Sequence, residues 1–145
     1  MSKLDLILAG RRSPGLYRIG SGVTRASVER DAQEAGARFV PIDGRPITDK
    51  ASFLRVVGQA LSFPSYQGHN WDAFEESLND LSWLPAEKYV LLLEELSAFA
   101  QAHPEEYTTA LAILRDAAAR WHTAGVLFVT LIRDGGPQAR NLPEL

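Results

Sequence analysis

The chain of 145 residues contains no cysteine. This removes disulfides, thiolate zinc sites and cysteine nucleophiles together, and it fits a protein kept out of oxidising compartments, so a cytoplasmic location is expected. Long apolar runs are missing too: none approaches the roughly 20 residues that cross a bilayer, so no membrane partner is expected. The apolar stretch Leu4–Ala9 is short, contains Asp5 and is followed by Arg11 and Arg12, which makes a poor signal peptide and a better piece of the fold. There is no G-x-S-x-G elbow, no H-E-x-x-H pair and no Walker loop, so nucleophilic, zinc and phosphoryl chemistry lack a starting residue. Internal repeats and low-complexity segments are likewise missing.

Positive charge is nearly absent from the middle of the chain. Between residues 56 and 114, Lys88 stands against nine Asp and Glu, whereas residues 1–55 hold ten Lys and Arg and six acids. Such a field repels the phosphates of RNA and DNA and attracts cations, so the expected partner is a basic protein and not a nucleic acid.

What is present is ordinary globular material. With 46% hydrophobic and 23% charged residues, the chain suffices for one core and is expected to form a single domain over residues 1–145. Apolar runs at Leu16–Ile19, Arg38–Ile42, Tyr89–Leu93 and Val126–Ile132 read as buried strands. Helical periodicity marks Thr24–Ala35, Asp49–Leu61, Asn70–Leu81 and Pro104–Thr123. The order β-α-β-α-α-β-α-β implies an α/β fold, a small, mainly parallel sheet covered by helices. Leu4–Ala9 fits either a short helix or an edge strand. Gly36 and Gly125 suit the left-handed position after a helix. Pro104, Glu105 and Glu106 suit a first turn, where a missing N–H costs nothing and acids meet the positive dipole end. Leu111, Leu114, Ala118 and Trp121 then mark the core face of the last helix, and residues 133–145 read as a frayed tail.

The most unusual stretch runs from Pro64 to Leu81, a loop opening into a helix. Asn70 is the expected N-cap and Asp72 lies in the first turn. At about 100° per residue, Trp71, Phe74, Leu78 and Leu81 share one arc, while Asp72, Glu76 and Asp80 form an i, i+4, i+8 row on the other side. Like charges at that spacing destabilise a helix by roughly 0.2–0.5 kcal/mol per pair. No Lys or Arg within the helix relieves them. The row is a solvated face, a face whose cations come from elsewhere in the fold, or a surface whose cations belong to a partner.

From Leu61 through Pro64, Tyr66, Gly68, Asn70, Trp71-Asp72-Ala73-Phe74 and Leu78, the chain resembles the signature segment of the barstar family, intracellular inhibitors of small guanyl-specific ribonucleases such as barnase. The strand Tyr89–Glu94, the helix segment Ile113–Ala117 and the strand Phe128–Ile132 follow in the family's order. The resemblance implies a barstar-like core over residues 41–133, an N-terminal strand-helix extension over 1–40 and a tail over 134–145. It also implies a cofactor-free, non-enzymatic inhibitor, expected to be monomeric, that occludes the active site of a small basic ribonuclease. By the same resemblance Glu76 takes the place of an RNA phosphate, Tyr66 packs on the enzyme, Asp72 is the first-turn aspartate, Gly68 allows close approach and Asp116 is a further acid. Glu75, Gln67 and His69 stand where the best-known member has tryptophan, tyrosine and glutamate, and Asn70 completes the expected partner-binding set.

Other readings compete. An immunity-type module for a different cationic partner, or an acidic nucleic-acid mimic, would show the same charge pattern. Gly20-Ser21-Gly22 after a strand, with Asp43 ending the next one, imitates a dinucleotide fingerprint, but Arg25 stands at the third glycine. His69 with Asp72 would give two metal ligands without an evident third, and His103 and His122 read as structural or exposed.

Overall fold

A computed structural model describes residues 1–64 and 70–145. In chain order the elements are α1 (Lys3–Leu8), β1 (Leu16–Arg18), α2 (Arg25–Glu34), β2 (Arg38–Asp43), α3 (Lys50–Ala60), α4 (Trp71–Leu78), β3 (Lys88–Glu94), α5 (Ser97–Ala102), α6 (Pro104–Thr123) and β4 (Leu127–Arg133). The four strands form one sheet in the order β1-β4-β3-β2, every neighbouring pair parallel. This is the α/β class that strands apolar on both faces require.

Alternation along the strands builds two cores. Tyr89, Leu91 and Leu93 of β3, with Phe128 and Ile132 of β4, face α3, α4, α5 and α6. Val90, Leu92, Val129 and Leu131 face α1 and α2. The connection from β1 to β2 therefore crosses one face, and the return through β3 to β4 crosses the other. Reversing both direction and face together keeps all the crossovers of one hand.

Local signals place the helix ends. Thr24 with Ser27, and Asp49 with Ser52, form capping boxes that open α2 and α3. Gly36 and Gly125 take φ of 71° and 82° after α2 and α6, the left-handed position expected of them. Gly58 weakens α3 locally, but a Cβ there would lie 3.2 Å from the Phe63 ring, so its absence lets Phe63 fold back onto the helix.

Of the two expectations for Leu4–Ala9 the helix is the one formed, over α1, because Ser2 and Asp5 form a capping box and Leu4, Ile7 and Leu8 meet the second core. The structure departs from the sequence expectations in three places. Helix α5 carries no side-chain cap that could announce it, and it runs almost directly into Pro104. Helix α4 ends at Leu78: Asn79 is its C-cap and Leu81 turns to φ 47° to bury its side chain, which places Asp80 in the turn beyond the helix. The segment after β4 is not frayed. Leu142 is buried, the Arg18 N–H donates to the Pro143 carbonyl, and the Leu145 N–H donates to the Arg18 carbonyl, so the tail covers the outer edge of β1.

Candidate functional site

The loop-helix segment emerges between α3 and α4. Residues 65–69, and with them the expected site residues Tyr66, Gln67, Gly68 and His69, lie outside the described residues. Both flanks are held. On the near side Ser62 takes φ 55° after α3, and the Phe63 N–H donates to the Gly58 carbonyl. On the far side the Asn70 side-chain oxygen accepts the N–H groups of Asp72 at 2.8 Å and Ala73 at 3.3 Å. The expected N-cap is thus formed, and that oxygen is engaged within the helix.

Beneath this segment lies a run of aromatic rings. Phe53 of α3 touches Trp71, Phe74 and Phe99 at centroid distances of 5.6–5.8 Å, and Phe63 touches Phe74 and Trp83 at 5.7 and 5.8 Å. Phe74 and Leu78 are fully buried, whereas Trp71 is half-buried at the rim of the core. Two indoles clamp α4 to α6. Trp71 Nε1 donates to Glu106 Oε2 at 2.9 Å near the start of α6, and Trp121 Nε1 donates to the Leu78 carbonyl at 3.1 Å near its end. The two helices therefore run in the same direction.

On the opposite side of α4, Asp72 and Glu76 are exposed and Glu75 is partly so. Asp116 is exposed on α6, between the two clamps. Among the described residues no salt bridge reaches Asp72, Glu75, Glu76, Asp80 or Asp116; the ion pairs lie elsewhere. Lys50 sits over the Trp71 ring, 5.4 Å from its centroid, and the α3 N-cap Asp49 has its pKa lowered by hydrogen bonds from Ser52. The sequence had no means of indicating that Glu106, Lys50, Trp83 and Trp121 surround this segment, because those contacts join residues far apart in the chain.

The imitation of a dinucleotide fingerprint is not assembled. Strand order sets β1 and β2 at opposite edges of the sheet, three spacings or about 14 Å apart, so the two strands of the fingerprint are not neighbours. Asp43 is bound instead by the Arg45 guanidinium at 2.9–3.1 Å, which lowers its pKa. A phosphate loop turns N–H groups toward its ligand. Here the carbonyls of Gly20 and Val23 accept from Arg133, whose Nε also meets Glu94 at 2.8 Å. Among the described residues no group of three or more His, Asp or Glu side chains is placed to hold a metal ion, and no helix is long and apolar enough to cross a membrane.

A family model described as Barstar (barnase inhibitor) matches residues 37–133, which span β2 to β4. No curated protein matches the chain. Among solved structures, the Aeropyrum pernix ORC2 protein in its ADP form is similar with a TM-score of 0.61 at 14% identity, over 94% of this chain. This chain spans 40% of that one, and likeness at such identity is one of fold alone.

Proposed function

The chain belongs to the barstar family, and on that premise we propose that it is a protein inhibitor of a small basic ribonuclease, which it blocks by seating the loop before α4 and the exposed side of α4 in the enzyme's active site. The observation that carries this reading is a set of carboxylates, Asp72 and Glu76 with Glu75 beside them, presented on a helix whose other side is anchored and which lacks a salt bridge to any described cation. A ribonuclease active site gathers cations for the phosphate of its substrate, and a carboxylate on a rigid base accepts the same donors. Glu76 takes the phosphate's place, Asp72 and Asp116 flank it, and Tyr66, Gln67, Gly68, His69 and Asn70 form the loop side of the contact. The surrounding acids steer encounter, which makes association sensitive to salt. The inhibitor performs no chemistry, needs no cofactor and acts inside the cell as a monomer.

The test is titration into the assay of a small guanyl-specific ribonuclease at low salt. Inhibition saturating near one to one is expected, with Glu76→Ala weakening binding by about 30-fold or more, the size of a hot-spot truncation. Asp80→Ala, which alters a residue beyond the end of α4, is expected to change it by less than about threefold. Equal, small losses at every acid would favour a diffuse acidic mimic, and no inhibition would move the function to another cationic partner.

A further inference from the structure

We infer that Glu106 is a positioning residue for the interface proposed above, acting through Trp71 as one member of a brace of three indole N–H groups. This inference rests on that reading of α4. The chain has three tryptophans, and each donates its indole N–H to an acceptor that frames the loop or α4. Trp83 Nε1 donates to the carbonyl of Leu61, the C-cap of α3, at 3.0 Å, where the chain leaves for the loop. Trp71, the first residue of α4, donates to Glu106 at 2.9 Å, and Trp121 donates to the carbonyl of Leu78, the last residue of α4, at 3.1 Å.

The arrangement answers a physical need. Helix α4 has eight residues, too few for stability in isolation, so contacts with neighbours decide its position. Phe74 and Leu78 hold its buried side, but apolar packing is non-directional, whereas an indole N–H fixes both distance and angle. Two of the three acceptors are backbone carbonyls. The third is a carboxylate, which makes the Trp71 bond charge-assisted and about twice as strong as a neutral one, and it is the one acceptor that a side-chain substitution removes. Lys50 over the ring and Phe53 beside it hold the indole plane. A segment held before contact loses less freedom on binding, and the gain falls mainly on the dissociation rate.

The experiment compares the full chain with Glu106→Ala, which removes the acceptor, and with Glu106→Gln, which removes the charge and keeps an acceptor oxygen. Indole ¹⁵N spectra and amide exchange of the free protein are read beside binding kinetics with a small basic ribonuclease. In Glu106→Ala the Trp71 indole signal is expected to shift alone among the three, and exchange at the Asp72, Ala73 and Phe74 amides to rise while that of β3 is unchanged. Dissociation should speed up about tenfold. Glu106→Gln, which keeps a neutral acceptor, should recover part of both effects, with exchange and dissociation rate between those of Glu106→Ala and the parent. If Gln behaves as Ala, a hydrogen bond accepted by the side-chain oxygen does not position Trp71 and the inference fails. It fails also if exchange rises equally in β3, the mark of general destabilisation, or if Ala leaves the indole and the amides unchanged. Should the parent chain bind no ribonuclease, the reading of the interface falls, while the spectra and exchange still decide whether the brace exists.

Discussion

Tyr107 is fully buried in the first core, and its hydroxyl has no hydrogen-bond partner among the described residues. Gly135 lies directly over it; a Cβ on that residue would stand 2.9 Å from the hydroxyl oxygen. Burial, with the Asp134 carboxylate adding to it, pushes the phenol far above its ordinary value of 10.0. The unfolded chain therefore releases this proton first, so the phenol's presence costs stability as pH rises through about 10 and costs nothing of this kind below. Tyr107→Phe is expected to keep neutral stability or raise it by up to about 1 kcal/mol, since the hydroxyl it deletes is unpaired. It should also move alkaline unfolding to higher pH. Urea melts at pH 7 and above pH 10 check both, and a clear loss at pH 7 would mean that the hydroxyl has a partner. Tyr89 is shifted in the same sense by burial, so part of the alkaline limb should survive.

Helix α3 supplies the floor on which α4 rests, and Asp49 starts it. Its carboxylate accepts the Ser52 N–H at 2.9 Å and the Ser52 hydroxyl at 2.7 Å. These bonds favour the charged form and lower the pKa below the ordinary 3.8. A lowered carboxylate contributes stability that is present above about pH 4 and lost as pH falls through the folded-state value. Asp49→Asn keeps a capping oxygen but does not titrate, so its melting temperature should fall less than the parent's between pH 5 and pH 3. Parallel pH curves for the two proteins would assign the acid limb to other carboxylates. Capped helices such as α2 and α3 stand out because their signals are local. By contrast α5 lacks a capping side chain, and the end of α4 depends on Leu81 turning inward to reach the core.

The family match begins at residue 37, yet the strands it covers are apolar on both faces. Val90, Leu92, Val129 and Leu131 are covered by α1, α2 and β1, all from the preceding segment. Arg133 ties the two parts together, bonding Glu94 within the matched region and the carbonyls of Gly20 and Val23 before it. We therefore propose that residues 1–145 fold as one unit. Exposing four such side chains forfeits roughly 6–12 kcal/mol, which is comparable to the whole stability of an ordinary domain. Removal of residues 1–36 is expected to abolish cooperative thermal unfolding and to give a species that binds a hydrophobic dye. A truncated chain that melts like the parent would make the first layer an appendage.

Much was settled along the chain itself. The α/β class, four strands, the main helices, the N-cap at Asn70 and the acidic character of residues 56–114 all follow from local periodicity, capping chemistry and charge counts, which neighbours in sequence determine. Strand order, the burial of the tail and the company of α4 belong to the folded molecule. They depend on pairings such as Leu16 with Thr130 and Arg133 with Gly20, more than 110 residues apart, and Trp71 with Glu106, 35 apart. No periodicity encodes such pairs, because what selects them is the shared burial of two sheet faces and the requirement that each buried donor find an acceptor. For that reason the pattern could suggest an acidic helix at Asp72 and Glu76, while only the fold could reveal the acceptors that its own Trp71 and the neighbouring Trp83 and Trp121 find.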